Sequence, residues 1–497
     1  MENEPNKTKS NWKRIGFVLF ITFISRLYHI TFPVLGWHSW RQSDTASIAR
    51  NFFENGFNIL YPQVNWGGTG TGYVEAEFHI YPFIVSLLYA VFGVNDFWGR
   101  IVSVIFSVLT VYGVFILVKK YMNESVAFWS ALIYAIIPLN IYYGRAFMPE
   151  SSLLMCSVYS VYFFSEWLDK EKVKYFVLAI IFTAFAILIK LPALYLGLPL
   201  LFLAYQKFKA KSFLKPALWI FVILVIIPVV LWYYHAHQLF INNGVSFGIW
   251  TYGSDKWGMF DLLLKPSFYN DLFLKSIAER HLTYPGFILL IIGLFIKRKN
   301  PAEKLFDFWL LAVLIYFLIV AQGNLAQEYY QLPFILPAVV FIGKALDWLL
   351  PFGKFKEAFS MSKLKSSFGV LCLVMILVLS YLRVAHTMGG ENPDSSVFKM
   401  ANDIKLVTQK NDLIITVCDG NPVYLYHADR KGWVAPPGVL DEKFINEHIK
   451  DGAKVLAGEK SFFEGGKLPD SLLKILNKYK IIHNDERYFV VLLKPGD

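Results

Sequence analysis

Long apolar runs alternate with short polar stretches over most of this chain. A bilayer crossing takes about 20 largely apolar residues, and eleven segments approach that pattern: 15–34, 97–118, 124–143, 149–168, 174–190, 191–206, 214–235, 284–296, 305–321, 332–351 and 365–384. A further run from His79 to Val94, with Pro82 near its start and Gly93 near its end, could span or lie along the interface. Beyond His386 the long runs stop. Short strand-like pieces (Leu413 to Val417, Tyr488 to Leu493) alternate with helix-like ones (Asp441 to Ile449, Asp470 to Tyr479). The pattern predicts an all-α polytopic membrane domain of about 11 transmembrane helices, with interfacial helices in its first outer loop and a small C-terminal extracytoplasmic α/β domain. Expected boundaries are 1–14 for a cytoplasmic N-terminus, 15–385 for the transmembrane domain with its first outer loop at 35–96, and 386–497 for the soluble domain.

Composition agrees with the pattern. The 497 residues are 56% hydrophobic, 18% aromatic and 17% charged, with a mean hydropathy of +0.44, too apolar for a soluble protein of this length. The net charge of +11 raises nucleic acid as a partner. The lysines, however, fall in short clusters between apolar runs, as in the cytoplasmic loops of membrane proteins, so no nucleic acid is expected. Cys156 and Cys372 lie inside apolar runs and Cys418 lies near the C-terminus, a distribution that draws no disulfide framework or zinc cluster. Lys7, Lys9, Lys13 and Arg14 precede the first run and no small-residue cleavage site follows it, which reads as an uncleaved first span.

Charge then chooses the topology. If 79–94 does not cross, Lys119/Lys120, Lys170/Lys172/Lys174, Lys207/Lys209/Lys211, Lys297/Arg298/Lys299 and Lys354/Lys356/Lys363/Lys365 all fall on the cytoplasmic side. If it crosses, nearly all of them move outside. The non-crossing arrangement puts Asp44, Glu77, Glu150, the loop 322–331 and the long loop 235–284 on one extracytoplasmic face. It also leaves Arg26, Arg41, Arg50, Arg100, Arg145, Lys190 and Arg383 on the side where cations are disfavoured, and an anionic lipid head group would explain them.

The candidate chemistry is carried by carboxylates on that face. Asp44 lies in SDTASIARNF, where Ser43 or Asp44 could cap a short helix. Trp37, His38, Trp40, Arg41 and Gln42 precede it, a density of amphipathic side chains that suits a binding wall. Glu75 and Glu77 flank Ala76 before the interfacial run, where a solvated helix start is the plain alternative. Glu150 follows Pro149 at the first turn of a span, where a carboxylate also complements the helix dipole. His38, His79 and His281 are scattered, and His235 and His237 would point to different faces of a helix, so a metal site among them is weakly indicated. The glycine-rich loop Gly67 to Gly72 follows no strand and has no P-loop lysine, and no nucleophile elbow is present.

Taken together, WRQSDTASIARNF (Trp40 to Phe52), EFHIYPF from Glu77, RAFMPE ending at Glu150 and AQEYYQLPFILP (Ala326 to Pro337) resemble, in order and spacing, the C-type membrane glycosyltransferases. The likeness is to glycosyltransferase family 39, the dolichyl-phosphate-mannose protein mannosyltransferases with their bacterial aminoarabinose-transferase-like members, and it covers residues 15 to 385. The resemblance implies that Asp44 is the first-loop acid acting as base or acceptor-positioning group. Glu77 matches the second acid, Glu150 the acid at the outer end of the third span, and Tyr329, Tyr330, Leu332 and Pro333 the element near the lipid-phosphate pocket. It further implies a multi-pass protein of the bacterial plasma membrane. Two departures stand out. Thr45 follows Asp44 where protein mannosyltransferases have an Asp-Glu pair, and Phe78 then His79 follow Glu77 where the aminoarabinose enzymes have a lysine. The C-terminal segment lacks the sugar-binding insertions of the eukaryotic enzymes, so sugar and acceptor stay open.

Such a transfer develops charge on a departing phosphate. Arg145, Lys190, Arg280 and His281 are the candidates to meet it, an arginine fork being best suited to two phosphate oxygens. Arg41 and His79 are further substrate-binding candidates. The expected reaction moves a sugar from a polyprenyl-phosphate donor to a lipid, glycan or protein hydroxyl with inversion, Asp44 serving as base. No cofactor is expected: a divalent metal is possible at Glu75 and Glu77, but two acids separated by one residue fall short of a dedicated site. The alternative class is a transporter or flippase of a lipid-linked sugar. Such proteins place ionisable groups at the bilayer midplane and between internal repeats, whereas here charges crowd the span ends and no repeat is visible.

Overall fold

The computed structural model describes residues 4–249, 256–257, 260–351 and 363–495. Part of the loop between His235 and Tyr284, and Lys354 and Lys356 of one basic cluster, lie outside the described residues. The chain divides into two compact units, one of residues 1–30, 100–235 and 248–387, the other of residues 31–99, 236–247 and 388–497.

The first unit is helical. Its helices are Glu4–Ser25, Glu124–Ile136, Pro138–Tyr143, Glu150–Lys170, Val173–Ile189, Leu191–Leu196 running into Gly197–Phe208, Thr283–Phe295, Leu305–Ile319 and Ile335–Leu349, with most of Asp96–Tyr121, Pro216–Asn243 and Lys363–Met388. All eleven apolar runs are thus helical, with two corrections of extent. The first helix stops at Ser25, short of residue 34, and His29 beyond it takes φ 53°. The run 124–143 breaks at Ile137 (φ −69°, ψ 145°), because a residue before proline is driven out of the helical region. Among the described residues, five helical stretches have the length and apolarity to cross a bilayer: Asp96–Tyr121, Leu191–Leu214, Pro216–Asn243, Glu328–Leu349 and Leu364–Met388. Pro266–His281 and Thr283–Phe295 make a further pair bent by 110°, with Thr283 at φ 61° just past the bend.

Burial ranks these helices. Ile335–Leu349 is buried almost throughout, whereas Pro216–Asn243 and Leu364–Met388 keep long apolar faces uncovered, the faces lipid would cover. Glycines let the central helix pack closely. A Cβ at Gly343 would overlap the Ser130 hydroxyl on Glu124–Ile136, and one at Gly293 would overlap the Phe341 backbone, so small residues set both contacts.

The second unit contains a five-stranded sheet, β1 (Leu413–Val417), β2 (Gly432–Ala435), β3 (Ala453–Glu459), β4 (Tyr479–Asn484) and β5 (Tyr488–Pro495), in the order β2-β1-β3-β5-β4. β1 is parallel to β2 and β3, and β5 is antiparallel to β3 and β4. Alternate residues build two cores, as the two-residue period of a strand requires. Ile414, Val455 and Val490 pack under helices Ser396–Val407 and Val423–Ala428, while Ile415, Leu456 and Val491 pack under Glu442–Lys450 and Asp470–Leu476. The last helix ends at Leu476 and not at Tyr479 as expected, because Tyr479 opens edge strand β4. Helices Ser39–Asn55 and Ile80–Phe92 come from the first loop. The second has 13 residues, so at about 1.5 Å per residue it is shorter than the roughly 30 Å hydrocarbon core.

Candidate active site

The Ser39–Asn55 helix explains why its tract stood out in the sequence. It is almost wholly buried although it carries Ser39, Arg41, Gln42, Ser43, Asp44, Thr45, Ser47 and Asn51. Polar groups are rarely placed so unless each has a partner. Its apolar stripe, Ile48 and Phe52, packs on Val64, Val74, Ala76 and Val245, and Gly56 (φ 103°) ends it by donating to the Phe52 carbonyl. Local bonds occupy several of its polar side chains. Gln42 donates to the Trp37 carbonyl at 2.9 Å, Thr45 to that of Arg41 at 2.8 Å, and Asn51 to Gln63 O at 2.9 Å and Asn65 Oδ1 at 3.0 Å.

Asp44 is different. The helix begins at Ser39 after His38, so Asp44 lies inside it and caps nothing, which removes the capping alternative. Its Oδ1 accepts a hydrogen bond from Trp66 Nε1 at 2.9 Å. Burial pushes its carboxyl up to about 7, against the pull of the indole N–H and of the Arg41 charge. Arg41 pairs with Glu77 at 3.0 Å and lies over the Phe247 ring, 5.0 Å from its centroid. His79, buried beside this pair, is pushed down to about 3, chiefly by desolvation with Arg41 adding to it and Glu77 opposing. It is therefore a neutral imidazole at physiological pH, able to hydrogen-bond a substrate but not to bring it a positive charge.

Glu75 corrects the expectation of a solvated helix start. It has no exposed surface, its Oε1 lies 3.0 Å from His237 Nδ1, and its other oxygen accepts from the Ser246 hydroxyl. Backbone bonds between Glu75 and Val245 and between Phe247 and Glu75 (both 2.9 Å) complete a strand-like clasp that holds Phe247 under Arg41. The glycine tract also has a mechanical use. Gly68 N donates to Gly432 O at 2.9 Å and Gly432 N to Asn65 O at 3.0 Å, so the loop is added to the β2 edge of the sheet.

In the first unit, Glu150 is the first residue of its helix, with Lys190 Nζ 2.9 Å from its Oε1; both are buried. The Lys190 ammonium also faces Tyr329 and Tyr330, 4.5 and 4.3 Å from the ring centroids. Neither Glu150 oxygen nor Lys190 Nζ makes a well-aligned hydrogen bond among the described residues, so the pair is a contact of opposite charges. Arg145 has no exposed surface and, with Arg100, donates to the His29 carbonyl, at 2.8 and 3.1 Å. Arg26 likewise donates to the carbonyls of Ala135 and Asn140, so carbonyls engage all three of these arginines. Arg280 is exposed and His281 buried at the bend. Leu191, Leu194, Tyr195, Trp257 and Tyr316 line an apolar cavity of about 340 Å³ in this unit.

Sequence reasoning missed Trp66, Phe247, the partners of Glu75, and Glu328, which accepts from the Tyr143 hydroxyl at 2.8 Å. Glu328 lay within the quoted AQEYYQLP tract and could have been singled out as a charge in an apolar run. Nothing local marks Trp66 or Phe247. Among the described residues no group of three or more His, Cys, Asp or Glu side chains converges as a metal would need.

The helical membrane portion and appended sheet are the fold of the C-type membrane glycosyltransferases. The family model described as dolichyl-phosphate-mannose-protein mannosyltransferase matches residues 79–234. The structure of ArnT from Cupriavidus metallidurans bound to undecaprenyl phosphate superposes with a TM-score of 0.64 at 15% identity, covering 96% of this chain and 97% of that one. Its apo state gives 0.62 at 16% identity over 98% of both chains. The apo oligosaccharyltransferase of Archaeoglobus fulgidus gives 0.62 at 12% identity, over 95% of this chain and 73% of that one. No curated protein sequence matches the chain. The resemblance read from the four motifs is borne out, and the chain is a multi-pass membrane protein of this architecture.

Proposed function

We propose that this protein is a membrane glycosyltransferase that moves a sugar from a polyprenyl-phosphate donor to an acceptor hydroxyl on the extracytoplasmic face, with Asp44 as base. The observation that carries the reading is Asp44 itself, buried in a helix with an indole N–H for a partner and its carboxyl pushed up to about 7, the range a general base needs at neutral pH. The acceptor oxygen attacks the anomeric carbon as the bond from that carbon to the phosphate oxygen breaks. The phosphate leaves with the electron pair, and the acceptor proton passes to Asp44. A single displacement inverts the anomeric centre.

Arg41, fixed between Glu77 and Phe247, orients the acceptor side of this reaction, and neutral His79 adds a hydrogen bond. Lys190, held by Glu150 and flanked by Tyr329 and Tyr330, meets the phosphate charge, with Arg280 and His281 as further groups for that role and Arg145 supporting them from its place on the His29 carbonyl. The apolar cavity that begins at Leu191, next in sequence to Lys190, suits an isoprenoid chain. The undecaprenyl phosphate in the Cupriavidus ArnT structure supports a donor of this chemistry. The C-terminal segment 386–497 is assigned to the same extracytoplasmic side, in a bacterial plasma membrane.

The test is complementation. Mass spectrometry of envelope glycolipids and polymers from a deletion strain identifies the missing sugar. The wild-type gene should restore it, and Asp44→Asn, expressed to the same level, should not. Restoration by Asp44→Asn would remove Asp44 from the mechanism.

A further inference from the structure

The sheet of the second unit is bound to the helix that carries Asp44 at several points. Asn421, in the loop after β1, donates from Nδ2 to Ser39 Oγ at 2.9 Å, at the start of the helix. At its other end Arg50 donates to Tyr426 O and Asp429 Oδ1, both at 3.0 Å, with its guanidinium 4.4 Å from the Tyr426 ring centroid, and Lys410 pairs with Glu54 at 3.0 Å. In a parallel sheet the space beyond the carboxyl end of β1 is where a ligand usually binds. Here that loop, through Asn421, holds the chain's own first-loop helix.

The third attachment reaches the carboxylate. Trp66 lies in the stretch added to β2, its backbone bridged in parallel to Gly432, with Asn65 and Gly68 bonded to the same residue. The fit leaves no room for a side chain at two places. A Cβ on Gly68 (φ 67°) would overlap the Trp433 indole, and a Cβ on Gly432 would overlap the Ile414 carbonyl. The indole thus has a backbone fixed by the sheet edge while its N–H is fixed on Asp44.

We infer that the C-terminal sheet is a positioning device for the base: by holding Trp66 at the β2 edge it keeps an N–H aimed at the Asp44 carboxylate and so sets the pH at which that carboxylate is charged. The inference rests on the reading of Asp44 as base. The charged group acting on Asp44 is Arg41 of its own helix, itself held by Glu77 of the first loop beside neutral His79. Of the charges on the sheet side, Asp429 and Lys410 are engaged with Arg50 and Glu54, and Lys405 and Lys431 lie near these same groups. An N–H donated to a carboxylate favours its charged form, so loosening Trp66 makes Asp44 harder to ionise.

The experiment uses the full chain labelled with fluorotryptophan in lipid nanodiscs, the Trp66 resonance being the one missing in Trp66→Phe. That resonance should shift with pH, with a midpoint near neutrality, and cease to do so in Asp44→Asn. In Gly68→Ala, which pushes the loop off Trp433, the midpoint should rise by about one pH unit, the size expected for weakening one hydrogen bond to a charged group. A resonance that does not titrate, one that still titrates in Asp44→Asn, or an unmoved midpoint in Gly68→Ala would each overturn the inference. Loss of the base reading is seen separately: if Asp44→Asn restores the missing sugar while the resonance behaves as expected, the assignment of Asp44 as base fails and the coupling itself stands.

Discussion

Asp44 and Glu150 are both buried acids on helices of one chain, yet their surroundings differ in kind. Glu150 faces a full positive charge, Lys190 at 2.9 Å, and that lysine is enclosed by two tyrosine rings. Asp44 faces a neutral donor, Trp66, and the charge that acts on it belongs to Arg41, already paired with Glu77. The first is a buried pair of opposite charges. An acid held by a neutral N–H can take a proton and release it, which is what a base must do. The difference separates two environments that the sequence presents identically, as single carboxylates at the edges of apolar runs.

The largest effect expected from this contrast is on transfer. Asp44→Asn should lower it by about 10²- to 10⁴-fold, read as sugar restored to deletion-strain membranes, while Asp44→Glu should keep a measurable part. Next comes stability on the other side of the comparison. Lys190→Ala strands the Glu150 carboxylate in a buried place and should destabilise the fold by about 3 kcal/mol, seen as a lower Tm in detergent. The double change Glu150→Gln with Lys190→Met should recover most of that loss without recovering transfer. A Lys190→Ala protein as stable as wild type would mean the pair is not a structural ion pair at all.

The third expectation concerns pH and has opposite signs for activity and stability. As the proposed base, Asp44 would work only when ionised, so transfer should rise through an acid limb near pH 7. A limb near pH 4 would show a carboxylate unaffected by burial. For stability, the folded-state value of about 7 lies above the ordinary 3.8, so the fold prefers the protonated acid. The ionised form costs nothing below about pH 4, and its cost is complete above about pH 7. Asp44→Asn should therefore be the more stable protein at pH 8, by at most about 4 kcal/mol, and gain nothing at pH 4, measured as Tm at each pH. The smallest effect is Gly72→Ala. Gly72 takes φ 77°, and a Cβ there would lie 2.5 Å from the Val64 carbonyl, so the first loop should lose about 1 kcal/mol, visible as faster amide exchange between Val64 and Val74.

Much of this molecule was legible in the chain itself. Helices occupy the apolar runs because an apolar stretch of that length has one stable form in a bilayer, with every backbone group bonded inside the segment. The breaks at Ile137 and Gly56 follow from proline and glycine chemistry at those residues. The motifs brought Asp44, Glu77 and Glu150 forward because charge near an apolar run is costly. Glu75 shows where the reading stopped. Set between Val74 and Ala76 and two positions from Glu77, it is fully buried, because His237 and Ser246 close over it from 162 and 171 positions away. The glycine tract was equally mute about its use, since its partner is the edge of a strand that begins at residue 432.

Local order and hydrophobic length, which depend on neighbours in sequence, were determined by the sequence alone: the helical membrane portion, the strand-bearing C-terminus and the set of acids worth examining. What surrounds each acid was decided only in three dimensions. Burial and a partner about 3 Å away set how a carboxyl group is held, and those partners, Trp66 for Asp44 and Lys190 for Glu150, come from elsewhere in the chain.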